Sequence, residues 1–207
     1  MLYTVTETTR ADFRVKGSKF IALIASAETS NDVEKFLKLV RNEHPTATHH
    51  CYAYHLNAVN PIEFVSDDGE PGGTAGLPIL NALKSKTLTN IVAVVVRYYG
   101  GSKLGKSGLI DAYSNVTQMA IKSSEIKKLT PIKRYRIRYR YENQSYIDKL
   151  KNDFQVIELS VNYTESVDME LAIPVDVAEF VSLRLHSIEH LLIHLEELGN
   201  GIHIQKN

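Results

Sequence analysis

The sequence predicts an α+β protein built from two units. Three observations carry this. Ile91–Val96 is a run dominated by β-branched residues, followed by a glycine turn and a helix-like pattern reaching Tyr113. Composition changes at Ile126: of 11 glycines, all but Gly199 and Gly201 lie before it. Beyond that point, a strictly alternating strand opens a βαββαβ series, the ferredoxin-like order. The units are expected at 1–128 and 132–207, with Pro131 marking the linker.

The elements follow in order. Leu2–Glu7 and Phe13–Val15 read as short strands, and Ser18–Ser26 as a longer one. Ser30 is the expected N-cap of a helix running to about His44, with Val33, Phe36, Leu37 and Val40 as its apolar stripe. Ala47–Leu56 reads as a strand. A polar loop follows, Phe64 to Gly76, carrying Asp67, Asp68, Glu70, Gly73 and Thr74. Leu77 to about Lys86 reads as a short helix. Ile91–Val96 is expected as a strand buried on both faces, and the long helix after it ends near Glu125.

In the second unit, Tyr135, Ile137, Tyr139 and Tyr141 are expected on one face of a strand, with Arg134, Arg136, Arg138 and Arg140 on the other. Asn143–Asp153 reads as a helix, and Gln155–Tyr163 and Ser166–Ile173 as strands. Pro174 suits a first helical turn. A helical stripe from Val177 through Leu198 predicts one long helix ending at Gly199, then a strand from Gly201 to Gln205.

Whole-chain properties narrow the function classes. The 207 residues suit one large domain or two small ones. Lys+Arg and Asp+Glu number 24 each, so net charge gives no general pull towards nucleic acid or acidic lipid. The single cysteine, Cys51, excludes an internal disulfide framework. The N-terminus lacks an apolar signal core and no stretch is long and apolar enough to span a membrane, so the expected location is cytoplasmic, with no membrane partner.

Several patterns compete for chemistry. Gly100, Gly105, Lys106 and Ser107 fit the phosphate-binding loop G-x-x-x-x-G-K-[ST] between a strand and a helix. An NTPase also needs a Mg²⁺-binding acid on a second strand and further βα units. Here Asp67 ends only a short strand, and one helix follows before the composition change. An NTPase is therefore not expected, whereas an anion-binding helix start or a structural turn both fit. His49, Cys51 and His55 share a strand face, yet a second ligand cluster with zinc spacing is not legible, so no metal and no cofactor are expected. Cys51 reads as a small buried residue rather than a nucleophile. The Arg134–Arg140 ridge fits phosphate contacts, and equally an edge strand kept soluble by charge.

The motifs Ser18-Lys19-Phe20, His49-His50-Cys51, Phe64 to Pro71, Gly73-Thr74-Ala75-Gly76 and Val95 to Gly101, with Leu104-Gly105 and Gly108-Leu109, resemble the IMPACT family, also called the YigZ family. The resemblance spans most of residues 15–120; the second half is similar to the small C-terminal domain of bacterial members. It implies an N-terminal α/β domain like the second domain of a ribosomal small-subunit protein and domain IV of elongation factor G. It also implies a ferredoxin-like C-terminal domain similar to domain V of that factor. Eukaryotic relatives regulate translation by interfering with activation of an initiation-factor kinase. Some members carry a proline-dipeptidase label, for which no dinuclear metal constellation is legible. The family's usual pattern after Leu104-Gly105 is a small residue and then two glycines; Lys106 and Ser107 depart from it, so the G-K-S tripeptide reads as a local departure.

The expected function is non-enzymatic binding of RNA or the ribosome in a translation-related role. The expected binding residues are Arg97, Tyr98, Tyr99, Gly100, Gly101, Lys103, Gly105, Lys106, Gly73, Thr74, Arg134, Arg136, Arg138 and Arg140. One alternative is an enzyme using Asp67, Asp68 or Glu70 with Arg97 holding an anionic group. Another is a protein-interaction module whose groove receives a partner's segment.

Overall fold

The computed structural model describes residues 1–57 and 60–204. Its described residues form two antiparallel sheets and five α-helices, and the chain divides into two compact units after Lys128.

The first unit contains β1 (Leu2–Val5), β2 (Thr9–Val15), β3 (Ser18–Ser26), α1 (Ser30–Glu43), β4 (His49–Leu56), β5 (Ile62–Ser66), α2 (Gly76–Lys84), β6 (Ile91–Tyr98) and α3 (Gly105–Ser123). Five strands form one sheet in the order β2-β3-β6-β4-β5, every neighbouring pair antiparallel. β6 is its middle strand and is buried on both faces, as its β-branched run predicts. Val92, Val94 and Val96 pack with Val33, Leu37 and Val40 of α1. Ile91, Ala93 and Val95 pack on the opposite face, with Ile79 and Leu83 of α2 and Leu109, Tyr113 and Val116 of α3. The two-residue period therefore sends Arg97 towards the α3 face and Tyr98 towards the α1 face.

Local chemistry sets the boundaries. The N-cap of α1 is Thr29 rather than Ser30: the Asp32 N–H donates to Thr29 Oγ1 at 3.2 Å and the Thr29 N–H donates to Asp32 Oδ2 at 3.0 Å, a capping box. Phe64–Ser66, expected in the polar loop, belong to β5. Lys16 and Gly17 both have positive φ, 44° and 79°, and make the two-residue turn between β2 and β3.

The second unit contains β7 (Ile126–Tyr139, its first residues preceding the division), α4 (Gln144–Phe154), β8 (Ile157–Tyr163), β9 (Val167–Pro174), α5 (Ala178–Ser187) and β10 (Leu192–Ile204). Its strands lie in the order β10-β7-β9-β8, all neighbours antiparallel. Tyr135, Ile137 and Tyr139 of β7 pack against α4 and α5 through Ile147, Leu150, Val181 and Leu185.

Four expectations change here. Pro131 lies within β7, not in a linker. Tyr141 lies beyond the strand end, in a 3₁₀ turn, and is half exposed instead of facing the core. β7 is an interior strand between β9 and β10, so its arginines do not protect an edge. The long helix expected to Gly199 stops at Ser187, and Leu192–Ile204 form β10 instead. The spacing of Leu191, Leu192, Leu195 and Leu198 imitates a helical stripe because β10 carries two register shifts, at Leu192/His194 and Glu197/Gly199. Each shift displaces the two-residue period that marks a strand. The strand expected at Gly201–Gln205 is the end of β10; Gln205 lies outside the described residues.

Candidate functional site

The polar loop and the glycine turn meet. Their junction is an ion pair in which Arg97 Nη1 donates to Glu70 Oε1 at 2.6 Å. Both residues are more than nine-tenths buried. Charges removed from water need several partners to be held, and here they have them. Arg97 Nη2 donates to Ser18 Oγ at 3.3 Å, and the guanidinium carbon lies 5.3 Å from the ring centroids of both Phe20 and Tyr99. The Tyr113 hydroxyl donates to Glu70 Oε1 at 2.8 Å. Cys51 Sγ lies 3.3 Å from that hydroxyl; burial pushes the thiol pKa up to about 12, so it stays protonated. Burial also raises the Tyr113 pKa. Ser18 and Phe20, Cys51, Glu70 and Arg97 come from four separate sequence motifs, and all converge on this pair.

The pair floors a groove of about 520 Å³ lined by Thr48, His49, Glu70, Pro71, Arg97, Tyr99, Lys103, Leu104, Gly105, Lys106 and Leu109. Lys103 and Lys106 are exposed, and Tyr99 is 45% exposed. The groove thus has a neutralised floor, an aromatic flank and two exposed cations beside the start of α3. His49 faces Arg97 in register on the neighbouring strand. Its Nδ1 lies 2.8 Å from the Asp68 carbonyl oxygen. A carbonyl only accepts, so Nδ1 carries the proton and Nε2 of the neutral ring is an acceptor. That Nε2 lies 3.9 Å from Glu70 Oε1.

The remaining expected residues divide sharply. Gly100 shapes the turn: a Cβ there would lie 1.9 Å from the Gly17 carbonyl carbon, so the backbones approach too closely for any side chain. The first glycine of the phosphate-loop pattern therefore answers to packing against the β2–β3 turn. The Gly101 carbonyl accepts from the Tyr99 hydroxyl at 2.7 Å. Tyr98 is on the opposite face of β6 from the groove, with its hydroxyl 3.0 Å from His44 Nδ1. Gly73 and Thr74 hold the polar loop: the Gly73 N–H donates to Asp67 Oδ2 at 2.8 Å, and Thr74 Oγ1 donates to the Pro71 carbonyl at 2.6 Å.

Two of the three acids proposed for catalysis are already committed. Asp67 accepts from the N–H groups of Gly73, Ala75 and Gly76. Burial opposes its charge, but the three N–H donors outweigh it and hold its carboxyl below the ordinary 3.8. Asp68 Oδ2 accepts from the His50 N–H at 2.7 Å and so ties the loop to β4. Only Glu70 lines the groove. No group of three or more His, Cys, Asp or Glu side chains among the described residues is placed to hold a metal ion. Cys51 is buried, and His55 Nδ1 lies 2.7 Å from the Leu88 carbonyl oxygen.

The arginine ridge is a row, as its period predicts, but it is matched by acids. Arg134 pairs with Glu170, Nε donating at 2.6 Å, and Arg138 Nη2 pairs with Asp168 at 2.6 Å. Arg136 Nη1 lies 3.7 Å from Glu196, and Arg140 Nη1 3.9 Å from Glu142. Glu170 and Asp168 come from β9, and Glu196 from β10.

The Impact N-terminal domain family matches residues 16–121, which include every residue of the groove. The chain belongs to the IMPACT family. An IMPACT family member of Haemophilus influenzae is 38% identical over 193 residues, 89% of this chain and 92% of that protein. IMPACT family member YigZ of Escherichia coli is 36% identical over 169 residues, 80% of this chain and 83% of that protein. A crystal structure described as that of a hypothetical protein matches with a TM-score of 0.66 at 30% identity, covering 96% of both chains. Among the features of this IMPACT protein, sequence reading underrated His49 and Glu70. The available signal was the His49-His50 pair preceding Cys51 on a strand; what it lacked was the register that sets His49 opposite Arg97.

Proposed function

We propose that this IMPACT protein is a cytoplasmic, non-enzymatic binder of RNA or the ribosome, with a translation-related role. The observation that carries this is the groove, where Lys103, Lys106 and the exposed Tyr99 ring surround a floor whose acid is already neutralised by Arg97. Cations on flexible stems suit phosphates, and an exposed ring suits stacking on unpaired bases. Family membership fits a translation role. The N-terminal unit is read as ribosomal-protein-domain-2-like and akin to domain IV of elongation factor G. The C-terminal unit, 132–207, is read as ferredoxin-like; the strand order β10-β7-β9-β8 supports that reading.

The paired ridge is assigned a minor share, because each arginine already faces a carboxylate. Filter binding with ribosomes, rRNA and tRNA at low salt tests the proposal. Binding is expected to weaken steeply with salt, and the Lys103→Ala/Lys106→Ala double variant to reduce the salt slope by about two. No retention of any of the three at low salt would sink it.

A second reading, a protein-interaction module, is favoured by β5. This edge strand exposes Ile62, Phe64 and Val65, with Phe64 stacked on Tyr54 at 5.5 Å and on Tyr52 at 5.8 Å. Partner capture that survives nuclease and is lost in Phe64→Ser would favour it.

A further inference from the structure

The groove floor holds a carboxylate that is only half used. Glu70 Oε1 takes the hydrogen bonds from Arg97 and Tyr113. Among the described residues Oε2 takes none, and it is not one of the fully sealed atoms. A buried acceptor left open on the side of a groove is a request for a donor. Beside that carboxylate, 3.9 Å from Oε1, stands His49 Nε2, an acceptor in the neutral ring because Nδ1 donates to the Asp68 carbonyl. The floor therefore offers two neighbouring acceptors, while the rim, Lys103 and Lys106, offers only donors and positive charge.

A ligand that satisfies both must carry a hydrogen-bond donor close to an anionic group. Arg97 compensates the charge of Glu70, so the acceptor does not drive phosphate away from the rim. In a nucleic acid the donor adjoining the phosphate is the ribose 2′-hydroxyl, which DNA lacks. We infer that Glu70 and His49 form a hydroxyl-reading subsite, by which the groove selects RNA over DNA. The inference rests on the RNA-binding reading above and adds the sugar specificity that reading leaves open. Lys103 and Lys106 then supply affinity common to both polymers, and the floor supplies the difference between them.

The test uses the full chain and three single-stranded 12-mers of one sequence: RNA, DNA and 2′-O-methyl RNA. Affinities are measured by fluorescence anisotropy at low salt. RNA is expected to bind about tenfold more tightly than either other strand, since the methyl ether keeps the oxygen but loses the donor. His49→Phe keeps a flat ring of similar size and removes the acceptor; it should narrow the RNA-to-DNA ratio while leaving DNA affinity within about twofold. Lys103→Ala/Lys106→Ala should weaken all three strands together and leave the ratio intact. Equal affinity of the wild-type chain for RNA and DNA, or for RNA and its methyl ether, would overturn the subsite and leave the RNA-binding reading standing. Absence of binding to any strand, ribosomes included, would remove both. The three-strand comparison needs no variant, so it holds even where a substitution disturbs folding.

Discussion

Arg97 and Arg134 both project from interior strands of antiparallel sheets, and both meet a glutamate. They differ in what surrounds them. Arg97 and Glu70 are held among Phe20, Tyr99, Tyr113 and Ser18, with side chains only 5% and 3% exposed at the groove floor. The Arg134 side chain remains 42% exposed, Arg136 45% and Arg138 49%, each beside an acid from a neighbouring strand. A buried pair is held by position, and losing one partner strands the other in a poor dielectric. Exposed pairs are screened and exchange readily with water. The row of arginines that looks most basic in the sequence is therefore electrostatically modest, and the one arginine hidden in a β-branched run organises a site.

Substitutions can break this contrast, and they rank by expected effect. Arg97→Ala strands Glu70 and is expected to cost about 3–5 kcal/mol of stability by urea denaturation. A loss below about 1 kcal/mol would mean the pair does not anchor the groove. Gly100→Ala forces a methyl into the Gly17 backbone and is expected to cost about 2–3 kcal/mol; the same substitution at Gly101, where a Cβ would meet nothing within 4 Å, tests steric clash against backbone strain alone, since Gly101 has φ +86°.

Asp67→Asn should cost about 2 kcal/mol at neutral pH, because a charged acceptor for three N–H groups becomes a neutral one. The sign of the pH effect follows from its lowered pKa. The stabilisation is fully present above the ordinary carboxylate value and is lost as pH falls through the depressed folded one. Acid titration of stability should thus be shallower in Asp67→Asn; a superimposable acid limb would contradict this role. His44 adds a milder effect at higher pH. Burial lowers its pKa, so the folded state prefers the neutral ring. Its contribution is present above about 6.5, the ordinary value, and declines as pH falls through the folded pKa. His44→Gln should flatten melting temperature between about pH 7 and 5.

Smallest of all, Arg138→Ala on the ridge should change stability by less than about 1 kcal/mol. It should also leave RNA affinity nearly unchanged while Lys103→Ala/Lys106→Ala lowers it. A ridge variant that costs as much affinity as the groove variant would erase the distinction drawn between the two regions.

Much of the fold is legible in local pattern. Ile91–Val96 marks a two-faced strand because alternate residues must serve two apolar layers. The Thr29–Asp32 box and the Lys16-Gly17 turn are chain-local too, although the wrong cap residue is chosen when Ser30 is read without Asp32. β10 is illegible for a physical reason: two register shifts scramble its period, and its leucines then fit a helix. Only pairing along β7 resolves the ambiguity.

What the sequence alone determined is the set of elements whose stability is local, together with the family motifs that mark Ser18, Cys51, Glu70 and Arg97 as one ensemble. What the tertiary structure decided is the use of charge. Whether a carboxylate is spent on a backbone N–H, as in Asp67, or left half open on a groove floor, as in Glu70, depends on atoms several strands away. So does the neutralising of Arg134, Arg136 and Arg138 by acids from β9 and β10. Electrostatic meaning lies in the neighbours a side chain acquires on folding, and residue order along the chain does not list them.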